Sequence, residues 1–585
     1  MSCFALLDDR AATRERPTSR LYTGLVREHC CQEPSALEAM WAQVESDQAA
    51  GLHAVVLADY EWGAKLLKAG TERLAPDDGA ALRVLMFRDL SPMDAAQVGA
   101  WLHRLEQTEG GDGHPCGVMN LEPSVDRAEF IRCIDRIHEA IAAGETYQVN
   151  YTYRLHGQAY GSPVALYRAL RARQPVSYGA FIALPELSGS ITHVLSCSPE
   201  LFLRHESGLL TARPMKGTAA RIVAPEGDSE TARLLAGDIK NRAENLMIVD
   251  LLRNDLGRVA QIGSVKVPSL FAIEPYATVF QMTSTVQARL RPGIGMPELL
   301  RAVFPCGSIT GAPKHHTMDL IAGLESTPRG LYCGAIGWLD APGPESPVGD
   351  FCFSVAIRTL VLGAASRGLH PLTLGIGAGI VQDSRATDEF DECLLKARFL
   401  TGLDPGVGLF ETMLVTPGGA VRHVQRHLDR LGRSARALGF TFDRVAAAAE
   451  ISRRSCRLVR GVAYRLRVEL AHDGQLRVTQ APLQPLPREE VTLLMAPWPL
   501  PDDRPLSGHK TTLRAAYDDG VRAAEEAGAF DSLFFTSDGR LVEGGRSSVF
   551  VRLGGRWWTP PVEDGALPGV MRSVLPKTRT ANKIP

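Results

Sequence analysis

An α+β domain with antiparallel sheets and helices outside is predicted for the chain up to about Leu400, followed by a second unit. Three observations predict it. Strand-like runs, hairpins and helical patterns alternate without a βαβ rhythm. A hairpin is written into residues 200–216, where two strand-like runs flank the turn-favouring pair Ser207-Gly208. Near residues 401–406 the pattern stops and restarts, with Gly408-Leu409-Phe410-Glu411-Thr412-Met413 opening the new unit.

Bulk properties bound the rest. A length of 585 residues exceeds what one core supports and predicts three or four domain-sized units, at roughly 150 residues each. Apolar content of 45% and charged content of 22% fit a globular protein, and a net charge of -2 gives no general attraction to nucleic acid or anionic membrane. A small substrate is expected. Eleven scattered cysteines show no repeated Cys-x-x-Cys spacing, so neither a zinc site nor a disulfide framework is indicated, and reduced thiols in the cytoplasm fit best. The N-terminus lacks a signal-peptide core, and no apolar run approaches membrane-spanning length.

The elements follow in order. Residues 1–115 form an N-terminal region with strand-like runs at 54–57 and 83–87, closed by a glycine-rich linker at 109–115. Residues 116–402 form the catalytic domain. A helix opens there behind Ser124 and Asp126, carries Phe130, Cys133, Ile134 and Ile137 on one face and stops at Gly144; a strand then begins near Tyr147. Arg358 emerges from an apolar strand, and residues 375–380 read as a glycine loop whose N–H groups can approach a ligand. Directly after it, Glu389, Glu392 and Lys396 fall at i, i+3 and i+7, one helical face. Residues 403–585 form the last unit.

The hairpin carries the chemistry. It brings Glu200 and Lys216 to one mouth, where a neutral amine can add to an electron-poor carbon and a carboxyl can take or return the proton. A strict two-residue loop pairs Glu200 with Met215; a bulge pairs Glu200 with Lys216 directly, and the bulge is expected. An ordinary lysine, with a pKa of about 10.4, is almost wholly charged at pH 7, so the proton is expected to pass from Lys216 to Glu200 in a coupled pair.

Three motifs resemble the chorismate-utilising enzymes: residues 144–150 around Gln148, residues 243–255 around Glu244, and Gly307-Ser308-Ile309-Thr310-Gly311-Ala312-Pro313-Lys314. That family comprises anthranilate, isochorismate, salicylate and aminodeoxychorismate synthases. The resemblance implies two facing sheets, and it implies Mg²⁺ held by Glu244 and Glu392 with Glu389 close by. It further implies chorismate contacts from Gln281, Thr310, Tyr332, Arg358, Gly377, Ala378, Gly379 and Lys396. Lysine before Gly217-Thr218 resembles aminodeoxychorismate synthase component I, whereas anthranilate synthases typically carry alanine there. In that chemistry Lys216 attacks ring carbon C2 of chorismate as the C4 hydroxyl leaves, and ammonia then attacks C4 and expels the lysine. Gln148 stands where isochorismate-forming relatives use lysine to activate water, and its neutral amide favours ammonia as the nucleophile. Gln281 replaces a histidine common in relatives. No Pro-Gly-x-Cys nucleophile elbow accompanies any cysteine, so the resemblance implies a separate glutamine amidotransferase as the ammonia source.

The last unit resembles fold type IV pyridoxal-phosphate enzymes, particularly 4-amino-4-deoxychorismate lyase, and this implies an α/β unit. By that resemblance Lys510 in His509-Lys510-Thr511 anchors the cofactor, Arg430 and the amides of Val570 and Met571 bind its phosphate, and Glu543 faces its pyridinium nitrogen. Ser548 stands where relatives show asparagine. Residues 576–585 are expected to be an unstructured tail, with a second phosphate-binding segment missing. The competing expectation is anthranilate synthase or another chorismate converter, with residues 408–585 a non-catalytic interaction module.

Overall fold

The computed structural model describes residues 3–71, 79–109, 113–185, 191–221, 225–275, 279–343, 347–484, 490–574 and 579–580. Most of the linker glycines and of the C-terminal tail lie outside them.

Fifteen strands follow one another in hydrogen-bonding order, every pair antiparallel. The strip begins Gly117–Pro123, Gln148–Tyr160, Leu369–Ile380, Thr359–Gly363, Ile191–Ser198, Tyr178–Ala183 and Phe4–Asp8. It continues through Ser19–Cys31, Leu82–Met93, His53–Ala58, Ala335–Leu339, Phe351–Val355, Leu201–Glu206, Leu209–Arg213 and Val279–Arg289. Strands from both sides of residue 115 therefore share one ladder. The strip doubles over on itself: Ala5, Ala180, Ile182 and Val194 from its first half pack with Val55, Leu57, Phe87 and Ile336 from its second. That contact is the core between two facing sheets.

Helices cover the outer faces. Arg127–Ala142, Pro163–Arg173 and Ala386–Thr401 bury Phe130, Leu166, Leu170 and Cys393 on one side. Leu37–Ala49, Ile239–Gly257 and Met296–Val303 bury Trp41, Ile248, Leu252 and Leu299 on the other. The predicted helix starts behind Asp126, whose carboxylate accepts from Glu129 N–H at 2.8 Å, and ends before Gly144, which takes φ 75°.

The second unit opens with an antiparallel sheet of Leu409–Val415, Tyr464–Leu470 and Leu476–Pro482, packed under helices Val424–Leu438 and Arg444–Cys456. Beyond it Leu493–Met495 pairs parallel with Asp531–Phe535, which pairs antiparallel with Leu541–Gly544. Val407, Leu409 and Leu431 bury against Met119 and Tyr160, at the far end of the Gln148–Tyr160 strand. At about 3.3 Å per residue, this sets the second unit roughly 40 Å from Gln148. Among the described residues no helix is long and apolar enough to cross a membrane.

Candidate active sites

The hairpin forms, but its register corrects the expectation. Leu209 faces Glu206 across Ser207-Gly208, and the pairing then slips, so that Arg213 faces Leu201. The extra residue lies on the Glu200 side, moving Glu200 away from Lys216 in the ladder. Pro214, lacking an N–H, then ends the ladder, and Lys216 departs on a separate strand, Met215–Ala220, paired to Val279–Arg289. Side-chain reach restores what the ladder loses. The charge of Lys216 acts on Glu200, Glu244 and Glu392 alike.

Gly379 explains where the amine goes. A methyl at Gly379 would meet Lys216 Nζ at 2.6 Å and Gln148 Nε2 at 2.5 Å, so amine and amide converge on the space its missing side chain leaves. Gln148 is buried, and neither its Oε1 nor its Nε2 has a hydrogen-bond partner in the protein. Buried amides are rarely left so, and four unused hydrogen-bonding positions aimed at an amine mark a place for a ligand. Glu200 is likewise buried, with Oε1 unpartnered. Burial pushes its carboxyl up to about 7, against the pull of the Ser308 hydroxyl, the Lys216 charge and the Met215 N–H. Such a group can accept and return a proton near neutrality.

The acidic helix stands as its spacing predicts. Glu389 is buried, accepts from Ser384 Oγ at 2.7 Å and lies 3.5 Å from Lys240 Nζ. Lys396 Nζ pairs with Glu392 at 2.8 Å and donates to the Gly377 carbonyl at 2.9 Å. Although burial works against it, the Lys396 ammonium holds the Glu392 carboxyl below its ordinary range. Glu244 comes from the Ile239–Gly257 helix. Burial raises its carboxyl, the charges of Lys216 and Lys240 pull it back down, and the like charges of Glu389 and Glu392 push it up again. Among the described residues no three His, Cys, Asp or Glu side chains form a ready metal cage. Mg²⁺ seldom needs one, since one or two protein carboxylates beside substrate oxygens suffice, and the mutual repulsion felt by Glu244 is what a divalent cation would relieve. The residues fit that ion.

Residues 375–380 are a strand, not a loop: Gly375 to Ile380 continue the ladder with Arg154 to Val149. Their glycines clear side chains. A Cβ at Gly375 would enter the Tyr332 ring and one at Gly377 would strike Thr152. The Tyr332 ring therefore packs beneath the strand, 5.3 Å from the Arg154 guanidinium. Arg358 sits between strands Phe351–Val355 and Thr359–Gly363 rather than within one, at φ 50°. The Thr310 hydroxyl donates to the Cys306 and Gly307 carbonyls, which holds its turn shut. Gln281 is buried opposite Thr218.

A buried cluster that short-range spacing does not announce supports this ground. Arg154 and Arg329 both donate to Glu325, and Arg329 also donates to the Ile309 and Asn150 carbonyls at 2.8 and 2.7 Å. Its effect is to tie the Gln148 strand to the Thr310 turn. The only local signal is Glu325 four residues before Arg329.

In the second unit Lys510, Arg430 and Glu543 gather. Lys510 Nζ lies 4.6 Å from the centroid of the Phe410 ring. Burial and the neighbouring charges of Arg430 and Arg514 push its amine down to about 8. Glu543 accepts from Tyr517 Oη at 2.8 Å and Leu567 N–H at 3.2 Å. Arg430 donates twice to the buried Glu411, at 2.6 and 2.7 Å, and once to the Pro568 carbonyl at 3.2 Å, so its expected phosphate contact is left to two of its five N–H groups. Pro568 brings that guanidinium beside Val570 and Met571, which open a five-residue helix with Val570 buried and Met571 exposed. Ser548 Oγ fills the space over Gly569. A buried amine whose pKa is lowered towards neutrality, a carboxyl and a residual guanidinium gathered together fit pyridoxal phosphate.

Comparison with known proteins gives two family matches: chorismate binding enzyme over residues 32–402, and amino-transferase class IV over residues 408–584. An aminodeoxychorismate synthase of Streptomyces griseus is 41% identical over 315 residues, covering 52% of this chain and 41% of that protein. An anthranilate synthase component 1 of Streptomyces coelicolor is 39% identical over 282 residues, covering 48% and 52% respectively. The chain thus spans about half or less of the length of these relatives. In fold, a 2,3-dihydroxybenzoate-specific isochorismate synthase from Bacillus anthracis is similar at TM-score 0.53 and 17% identity, over 69% of this chain and 96% of that one. The chain belongs to the chorismate binding enzyme family and carries a class IV aminotransferase domain fused behind that region.

Proposed function

We propose that the first region is an aminodeoxychorismate synthase, converting chorismate and ammonia to 4-amino-4-deoxychorismate, and that the fused domain is a lyase releasing pyruvate from this product to leave 4-aminobenzoate, a folate precursor. The observation that carries the reading is the Lys216 amine held against Gln148 over Gly379, within the field of three carboxylates. An anthranilate-type site has no use for that amine.

Glu200 takes the Lys216 proton, Nζ bonds to ring carbon C2, and the ring double bonds shift as the C4 hydroxyl departs as water, carrying away the proton that the newly bonded nitrogen sheds. Ammonia then bonds to C4, the double bonds shift back, and the lysine leaves and regains its proton from Glu200. Gln148 can orient this nucleophile but cannot deprotonate water, which supports ammonia as the co-substrate. A separate glutamine amidotransferase would supply it. Glu244 and Glu392, with Glu389 beside them, would hold Mg²⁺, an ion that offsets substrate carboxylate charge; Arg358 and Lys396 are the cations for the remaining anionic oxygens. Thr310, Tyr332, Gln281, Gly377 and Gly379 shape the walls, whereas Ala378, expected beside them, turns its side chain into the core on the other face of the strand and offers only its backbone. In the second site Lys510 would hold the cofactor and move a proton, Glu543 would face the ring nitrogen, and Arg430 with the amides of Val570 and Met571 would take the phosphate. Pyridoxal phosphate supplies an electron sink when bound. Eleven free thiols support a reducing, cytoplasmic setting.

Purified protein given chorismate, Mg²⁺ and ammonia should form aminodeoxychorismate, and 4-aminobenzoate once pyridoxal phosphate is added. Lys216→Ala should abolish the protein-linked intermediate seen by mass spectrometry. Anthranilate as the product would overturn the assignment.

A further inference from the structure

The sheet that opens the second unit presents a cation that the proposed lyase chemistry does not use. Leu409 bridges Thr511 and Phe410 N–H donates to the Lys510 carbonyl, which sets Lys510 opposite Phe410; Phe410 in turn lies opposite Glu469, and Thr412 opposite Arg467. Directly opposed residues of antiparallel strands share a face, and diagonal neighbours lie within reach of long side chains. One face therefore carries Lys510, Phe410, Glu469 and Arg467. The other carries Glu411, Leu466 and Val468, buried towards the helices.

Phe410 is the floor of the first face. Its ring is buried, with the Arg467 guanidinium 3.8 Å and the Lys510 amine 4.6 Å from its centroid. Arg514 is 5.8 Å away, but it is held by the Gly545 carbonyl and Asp518. Arg430 is locked by Glu411. Arg467 differs from both. Its partner Glu469, at 2.7 Å, is about a third exposed, as Arg467 is itself (32% and 34%), and such surface pairs contribute only about 0 to 1 kcal/mol. An incoming carboxylate can replace Glu469 with little loss, and the planar guanidinium matches a carboxylate through two parallel N–H bonds.

We propose that Arg467 is the carboxylate anchor of the second site, gripping the ring carboxylate of an amino-bearing six-membered-ring substrate held between Arg467 and Lys510 on this face, with the amino end towards Lys510. The proposal rests on the reading of this domain as a lyase site and adds to it the residue that selects an anionic ring. Aniline, which lacks the carboxylate, should then be a poor ligand.

The full chain loaded with pyridoxal phosphate provides the test, because shifts of the cofactor absorbance report the second site alone. Titration with 4-aminobenzoate and with aniline should show the carboxylate compound bound roughly tenfold to a hundredfold more tightly, as one charge-assisted contact allows. Arg467→Ala should bring the ratio close to one with the cofactor band intact, and Arg467→Lys should recover part of it. An unchanged ratio in Arg467→Ala, or no preference for the carboxylate in the unaltered protein, overturns the inference alone. Failure of the unaltered protein to take up cofactor overturns the lyase reading, and the inference with it.

Discussion

Lys216 Nζ and Gln148 Nε2 close on the same point, lying 2.6 and 2.5 Å from where a Cβ on Gly379 would stand. Gly379 is therefore a clearance, and filling it is the mildest way to disturb the site. Both atoms are ends of flexible side chains, so Gly379→Ala should fold normally, with a melting temperature little changed. The amine must then move by about an ångström, and misplacements of that size cost on the order of a hundredfold in rate. Aminodeoxychorismate formation by the variant, measured beside its thermal unfolding, checks both halves of this expectation.

Glu200 predicts an opposed effect of pH on stability. Its carboxyl is pushed up to about 7 in the folded chain, mainly by burial. The folded state thus binds the proton more tightly than the unfolded state does. The stability this group contributes is complete below pH 4.5 and is lost as pH rises through 7. A shift of that size corresponds to on the order of 3 kcal/mol. Glu200→Gln, which carries no charge to bury, should match the unaltered protein near pH 4.5, exceed it in stability at pH 8, and be inactive in amination. Denaturant titrations at the two pH values would show whether the curves diverge; parallel behaviour would mean Glu200 is not buried as a carboxyl.

Legibility in the sequence followed the range of the physics. The Glu389, Glu392 and Lys396 face and the capped helix behind Asp126 depend on neighbours within a turn or two, and both stand where the spacing puts them. The hairpin at Ser207-Gly208 was legible as a hairpin, but its register was not, because the slip near Leu201 is shared with the neighbouring strand Phe351–Val355 and the chain beyond Pro214 pairs with Val279–Arg289. Residues 375–380 looked like a loop because glycine clusters usually mean turns; here each glycine clears a side chain from a distant segment, Tyr332, Thr152 or Lys216. The meeting of Arg154 with Glu325 depends on contacts across 171 residues, which no local pattern encodes.

Lys510 should titrate low. Burial first, then Arg430 and Arg514, push its amine to about 8, while Glu411 pulls the other way. The rate of cofactor uptake, followed by absorbance against pH, should therefore rise with a midpoint near 8 rather than near that of ordinary lysine. Glu411→Gln should lower the midpoint further, because it removes a neighbouring negative charge. It should also leave the buried Arg430 guanidinium without its carboxylate, at a cost of about 3–5 kcal/mol in stability. A midpoint above 10 in the unaltered protein would contradict the buried placement of Lys510.

The Arg154, Glu325 and Arg329 cluster allows stability and geometry to be separated. All three side chains are at most 5% exposed, and Glu325 accepts from both arginines and from the Thr152 N–H and hydroxyl. Glu325→Ala leaves two buried guanidinium groups without a carboxylate and should destabilise the chain by several kcal/mol. Replacing all three residues with Met, Leu and Met removes the charges together and should recover most of that loss, since well-packed apolar side chains often match a buried ion cluster. Activity should not return. Arg329 is what ties the Asn150 and Ile309 carbonyls together, and without it the strand bearing Gln148 and the turn bearing Thr310 are free to shift. A triple variant that is stable yet raises the chorismate KM and lowers kcat would identify the cluster as a positioning device; full activity would show that strand pairing alone fixes the site.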